Sequence, residues 1–178
     1  MNGKARVATI WLDACSGCHM SLLDLDERLL EIAPHIQLVY SPLVDAKEIP
    51  ENIDVAIVEG AISTDEDIEK VRELRAHSRL LVALGDCAVT GNVPSMRNNI
   101  PVEELLRVGY VENATDHPGP PTTEIPKLEP KVIPLQELVP VDLFVPGCPP
   151  PAGQIYYVLS EVLAGRTPEL ATKAHFGN

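Results

Sequence analysis

The sequence is short of positive charge: 14 Lys and Arg stand against 26 Asp and Glu, a formal net charge of −12 over 178 residues. A nucleic-acid binder normally carries a basic stripe and an anionic membrane surface attracts polybasic segments, so both partners are disfavoured. No apolar run reaches the ~18–20 residues of a membrane-spanning helix. Met1 to Arg6 lead straight into an apolar strand pattern, with neither a signal-type hydrophobic region nor twin arginines, and the expectation is a cytoplasmic chain. The phosphate-cradling motifs GxGxxG and GxxxxGK[ST] are missing too, and there is no internal repeat. Cysteine is scarce, four in all. That is too few for a secreted disulfide scaffold, which leaves reduced thiols available as ligands.

What is present suits one globular domain over 1–178. Hydrophobic residues make up 45%, enough for a packed core and too many for wholesale disorder. Apolar, β-rich runs predict strands at Arg6–Leu12, 36–40, 54–58, 79–84 and 141–145. Met20, Leu22, Leu23, Leu29, Leu30 and Ile32 predict a helix over 19–33, stopped by Pro34. Ser63 with Glu66 three residues later reads as a capping box opening a helix over 64–77. Pro101 starts a short helix ending at Arg107, and a last helix covers 152–163 before Gly165. Between 113 and 140 lie seven of the 17 prolines, interleaved with Ile125, Leu128, Val132, Ile133 and Leu135. That mixture predicts an ordered, extended Pro-rich arm packed on its own domain or on a partner, and a candidate for wrapping a neighbour.

Alternating strands and helices predict an α/β fold: a flavodoxin-like open parallel sheet with helices on both faces. Right-handed crossovers place the loops after all strands on one edge, outside which ligands sit. The cysteines obey that rule. Cys15 and Cys18 follow the first strand, Cys87 the fourth and Cys148 the fifth. Four thiolates converging from three loops mean zinc or an iron–sulfur cluster. Structural zinc usually draws on two close-spaced pairs in a chain that lacks a core. Here two ligands are singletons and the domain has its own core, which favours a [4Fe–4S] cluster. A structural zinc-binding interaction module is the alternative of another class. Gly17 lets backbone amides approach a cluster, and Gly147 with its flanking prolines fixes Cys148. A flavin on this chain is disfavoured, because the loop after strand one presents thiols rather than a phosphate nest.

Asp13-Ala14-Cys15-Ser16-Gly17-Cys18-His19, Val58-Glu59-Gly60-Ala61, Leu84-Gly85-Asp86-Cys87-Ala88 and Val145-Pro146-Gly147-Cys148-Pro149-Pro150 resemble the small subunit of [NiFe] hydrogenases. That superfamily also contains the 20-kDa subunit of respiratory NADH:ubiquinone oxidoreductase. The likeness is to the short small subunit of cytoplasmic NAD(P)-reducing, bidirectional hydrogenases, and it extends over nearly the whole chain. The resemblance implies that Cys15, Cys18, Cys87 and Cys148 bind the proximal [4Fe–4S] cluster. It places the Ni–Fe centre in a separate large subunit and no catalytic residue on this chain. No cysteine follows Cys148, so a one-cluster relay is implied. Electrons from H2 would pass to a diaphorase module whose subunits carry further Fe–S clusters, FMN and the NAD site. The respiratory subunit has adjacent cysteines in its first motif, whereas this chain has Cys15-Ser16-Gly17-Cys18. Sulfur- and deazaflavin-linked hydrogenases share the spaced motif and are alternatives, as is a complex I-like subunit.

Other residues carry weaker expectations. Glu59 is a candidate to hydrogen-bond nearby backbone or to position the partner interface, with a helix-cap or loop role as its alternative. His19 is a second interface candidate, with an ordinary surface position as its alternative. Asp13 and Asp86 read as turn-formers; Trp11, Tyr156 and Tyr157 read as packing residues.

Overall fold

A computed structural model describes residues 3–170. In chain order the elements are β1 (Ala5–Trp11), α1 (Gly17–Leu23), α2 (Arg28–Ile32), β2 (Ile36–Tyr40), β3 (Ile53–Glu59), β4 (Ile62–Thr64) and α3 (Asp65–His77). They continue with β5 (Ser78–Leu84), α4 (Asp86–Thr90), α5 (Val102–Arg107), β6 (Leu128–Ile133), β7 (Leu143–Val145) and α6 (Ala152–Leu163). Among the described residues no helix is long and apolar enough to cross a membrane.

Five strands form one sheet in the order β2-β1-β3-β5-β7, every neighbouring pair parallel. This is the flavodoxin order, and its chain direction switches between β1 and β3. The central strands are near-continuous apolar runs because both faces are covered. Ala8, Ala56, Val58, Leu81 and Ala83 pack on one face against Val71 and Leu74 of α3. Val7, Val55, Ile57, Val82 and Leu84 pack on the other against Ile155 and Val158 of α6 and Cys18 of α1. Both layers therefore end, at the carboxyl edge, in the loops that carry the cysteines.

Three expectations are corrected. The helix expected over 19–33 is two helices, α1 and α2. Asp26 between them has φ +50, a left-handed conformation that a short polar side chain tolerates and a continuous helix does not. The capping box sits one residue later than expected. Thr64 Oγ1 accepts the Asp67 N–H at 3.1 Å and Asp67 Oδ2 accepts the Thr64 N–H at 2.9 Å. Ser63 lies one residue before the cap, and its own N–H is taken up by Asp67 Oδ2 at 3.0 Å.

The Pro-rich arm divides in two. Residues 115–128 are exposed, but β6 pairs antiparallel with β4, Ile62 opposite Ile133. Asn98 serves β6 as a substitute strand: its Oδ1 accepts the Val132 N–H at 2.7 Å and its Nδ2 donates to Val132 O at 2.8 Å. Val132, Leu135 and Val139 are buried, the last two against the α3 face of the sheet. Residues 128–140 thus close the core of their own chain and are not free to wrap a neighbour.

The end of that segment carries a pH-sensitive tie. Asp142 Oδ2 accepts the Leu81 N–H at 2.7 Å and Arg75 Nη1 at 2.5 Å, joining β5, α3 and the approach to β7. Burial pushes its carboxyl up, but the Leu81 N–H and the Arg75 guanidinium outweigh that and hold it below the usual carboxylate range. A carboxyl depressed in the folded state stabilises the fold above its unfolded pKa, about 3.9. That contribution is lost as pH falls through the folded value. Asp142→Asn is therefore expected to lower the urea midpoint near neutral pH. The gap to wild type should narrow progressively below about pH 4.

Candidate metal centre

The carboxyl ends of β1, β5 and β7 deliver the four cysteines to one edge of the sheet. Cys15 lies in the turn after β1, Cys18 in the first turn of α1, Cys87 in the first turn of α4 and Cys148 in the loop after β7. None is in a disulfide; Cys15 and Cys148 are exposed, Cys87 is half-buried and Cys18 is buried.

The loops holding them are tied to one another. On one side, Asp13 and Ala61 exchange backbone hydrogen bonds of 3.2 and 3.0 Å, and Leu12 N–H donates to Glu59 O at 2.8 Å. On the other, the residues just before Cys87 and Cys148 clasp each other. Asp86 N–H donates to Gly147 O at 2.8 Å, and Asp86 Oδ1 accepts the Gly147 N–H at 2.7 Å. Ser21 Oγ donates to Pro150 O at 2.6 Å and joins the two halves. Asp13 and Asp86 are thus loop-formers, and Asp86 does so across two loops.

Two glycines make the approach of these loops possible. At Gly85 φ is +84, and a Cβ would stand 2.2 Å from Cys18 Sγ. At Gly147 φ is +140, and a Cβ would stand 2.5 Å from Pro150 Cα. Gly17, expected beside the cluster, does lie against a thiol: its Cβ position is 3.1 Å from Cys15 Sγ.

The thiols share one electrostatic neighbourhood. Burial, then the negative charge of Glu59, then the other three cysteines push the Cys18 thiol up. Burial, then Cys148, Cys15, Glu59 and Asp13 push Cys87 up to about 11. Four thiolates assembled here would repel one another, and bound iron would reverse that balance by supplying positive charge at the sulfurs. Four soft thiolate donors on a domain that has its own packed core suit an iron–sulfur cluster by their chemistry.

Glu59 and His19 are not at an interface. They are 1% and 2% exposed within this chain alone. Glu59 does meet nearby backbone: its carboxylate accepts the Cys18 and His19 N–H groups at 3.2 and 2.9 Å. Asn92, which the sequence reading missed, donates from Nδ2 to Cys148 Sγ at 3.5 Å. It follows the glycine that ends α4, and no local pattern marks it. Trp11 packs edge-on against the His19 ring, centroids 5.2 Å apart. Tyr156 holds α6 to α2, its hydroxyl 2.5 Å from Glu31 Oε2 and Arg28 over its ring.

Residues 15–162, which include all four cysteines, match the family described as the NADH ubiquinone oxidoreductase 20 kDa subunit. One of the subunits of the vhu F420-non-reducing hydrogenase of Methanocaldococcus jannaschii is 43% identical over 170 residues, covering 94% of this chain and 59% of that protein. The NAD-reducing hydrogenase HoxS subunit delta of Cupriavidus necator is 43% identical over 169 residues, covering 92% of this chain and 81% of that one. This chain thus spans about three fifths of the first relative and four fifths of the second. A chain of the NAD+-reducing [NiFe]-hydrogenase, solved in the H2-reduced state, superposes with a TM-score of 0.92 at 39% identity, over 98% of this chain and 99% of that one. The [NiFeSe] hydrogenase of Desulfomicrobium baculatum, at 24% identity and a TM-score of 0.59, shares the fold. With the family match and these identities, the chain belongs to the NADH ubiquinone oxidoreductase 20 kDa subunit family and is a homologue of the delta subunit of an NAD-reducing hydrogenase.

Proposed function

We propose that this chain is the electron-transfer small subunit of a cytoplasmic NAD(P)-reducing [NiFe] hydrogenase, with a [4Fe–4S] cluster held by Cys15, Cys18, Cys87 and Cys148. The observation that carries this reading is the delivery of four free thiols by three mutually bonded loops to one sheet edge. When bound, such a cluster supplies one-electron transfer at a potential set by its surroundings. The chain's own residues fix the ligands. The Asp86–Gly147 clasp orients the segments before Cys87 and Cys148, Glu59 holds the Cys18 amide, and Asn92 directs an N–H at the Cys148 sulfur.

The exposure of Cys15 and Cys148 supports a partner on that side. Trp11, Met20 and Val93, all exposed, border that edge or follow the helix that carries Cys87. Apolar side chains around a polar centre make a dry interface core. The partner there is the hydrogenase large subunit with the Ni–Fe centre. Diaphorase subunits with further Fe–S clusters, FMN and the NAD site receive the electrons. A second reading, delivery to a carrier other than NAD, is favoured by the equal 43% identity to the F420-non-reducing hydrogenase protein.

Iron, nickel and acid-labile sulfide analysis, with an EPR spectrum of the dithionite-reduced complex as isolated, tests the assignment. About four irons and four sulfides per chain are expected, with nickel in a co-purifying chain and H2-dependent reduction of NAD+. Zinc in place of iron would overturn the electron-transfer role. Iron with no nickel-containing partner would move the chain elsewhere in the family. Full hydrogen uptake with no NAD+ reduction would favour the second reading.

A further inference from the structure

Glu59, the last residue of β3, and His19, in the first turn of α1, form a pair sealed inside the fold. A buried carboxylate requires donors for its lone pairs, and three are supplied. Oε1 accepts the Cys18 N–H at 3.2 Å; Oε2 accepts the His19 N–H at 2.9 Å and lies 2.5 Å from Nδ1 of the His19 ring. The opposite ring nitrogen, Nε2, lies 3.0 Å from the Thr9 hydroxyl on β1. Thr9 in turn is 2.9 Å from the Ser41 hydroxyl, just past β2. With Trp11 against its face, the imidazole cannot turn without losing a bond at one end or the other.

We propose that His19 is a positioning residue for the iron–sulfur site. By bridging Glu59 to Thr9 it holds the Glu59 carboxylate against the Cys18 amide, and so fixes the most deeply buried of the four thiols. This rests on the reading of Cys18 as a cluster ligand. The bridge connects three of the five sheet strands to that ligand: β3 through Glu59, β1 through Thr9 and the end of β2 through Ser41. The amides that Glu59 meets belong to the first turn of α1, so the network caps that helix and fixes the backbone of Cys18 in the same contact. Glu59 is also among the groups that push the Cys18 and Cys87 thiols up.

The test uses the complex as isolated, comparing wild type with Glu59→Gln, His19→Leu and His19→Asn. Iron and sulfide content and the cluster midpoint potential by EPR titration are read for each. Asparagine presents an amide N–H where the ring presents Nδ1, so it can keep the bond to Glu59 while dropping Thr9. Glu59→Gln, which removes the charge, is expected to raise the midpoint by at least 59 mV, a tenfold change in a one-electron equilibrium. His19→Leu should move it by a comparable amount, and His19→Asn, which keeps the bond to Glu59 without the Thr9 anchor, should fall between His19→Leu and wild type. An iron-replete His19→Leu complex at the wild-type potential would overturn the proposal. So would a His19→Asn complex displaced as far as Glu59→Gln. If His19→Leu assembles no iron, the comparison of His19→Asn with Glu59→Gln decides by the same criterion. A wild-type complex without iron and sulfide would instead refute Cys18 as a ligand, and the role of His19 with it.

Discussion

Cys87→Ser is expected to strip iron and sulfide from the protein while leaving the sheet folded. Cys87 lies outside both core clusters, half-buried in the first turn of α4, and serine matches its shape closely. The fold therefore loses almost nothing. The metal site loses a ligand, because a serine hydroxyl stays protonated where a thiol yields a soft thiolate. Iron should fall from about four per chain to less than about one, with the far-ultraviolet circular dichroism unchanged. The same result is expected at the exposed Cys15 and Cys148, and the same loss of iron at Cys18, whose place in the core adds a cost to the fold. Full retention of iron in all four variants would remove the basis for the proposed function.

Gly85→Ala is expected to damage fold and metal site together. Its Cβ would meet Cys18 Sγ at 2.2 Å and Gly147 O at 3.4 Å, at a φ of +84 that L side chains rarely adopt. The Cys18 side chain cannot simply swing aside, because it is buried and its amide is held by Glu59. Left-handed strain of about 1–2 kcal/mol and overpacking of about 1–3 kcal/mol then act together. A destabilisation of about 2–5 kcal/mol in urea is expected, with iron content falling in parallel. Gly17→Ala is the control. Its Cβ approaches only the exposed Cys15 sulfur, at 3.1 Å, at a helical position, so its unfolding midpoint should stay close to wild type. Equal losses in the two variants would show that the close approach at Gly85 is not what matters.

The strands of the sheet were legible because a parallel sheet covered on both faces must be built from short, uniformly apolar runs, as in Val55–Val58 and Leu80–Leu84. The cysteines were legible for a topological reason. Parallel crossovers bring every strand's carboxyl end to one edge, so residues far apart in sequence become neighbours without any local signal. Other features depend on contacts that no local pattern encodes. The β4–β6 pairing joins Ile62 to Ile133, and the prolines of 113–140 hid a strand whose unpaired side is served by Asn98. The break between α1 and α2 was invisible because Cys18, Leu22, Leu25 and Ile32 keep a helical spacing across it. Glu59, which closes the buried run Val55–Val58, was readable as a carboxylate in need of backbone donors, and it has them. His19 was expected at the surface because its partner Glu59 lies 40 residues away and no local pattern marks the pair.

The hydrogen bonds between the cysteine-bearing loops also bear on assembly. Clasps such as Asp86–Gly147 and Asp13–Ala61 use only protein atoms, so the loops lose their conformational entropy during folding rather than when iron arrives. In zinc-finger domains the reverse holds, and the metal's binding energy is consumed in ordering the chain. Here the apoprotein would present a prearranged chelator, and cofactor insertion would be a late docking step on a finished scaffold. The buried Cys18 would form the floor of that dock and the exposed Cys15 and Cys148 its entrance.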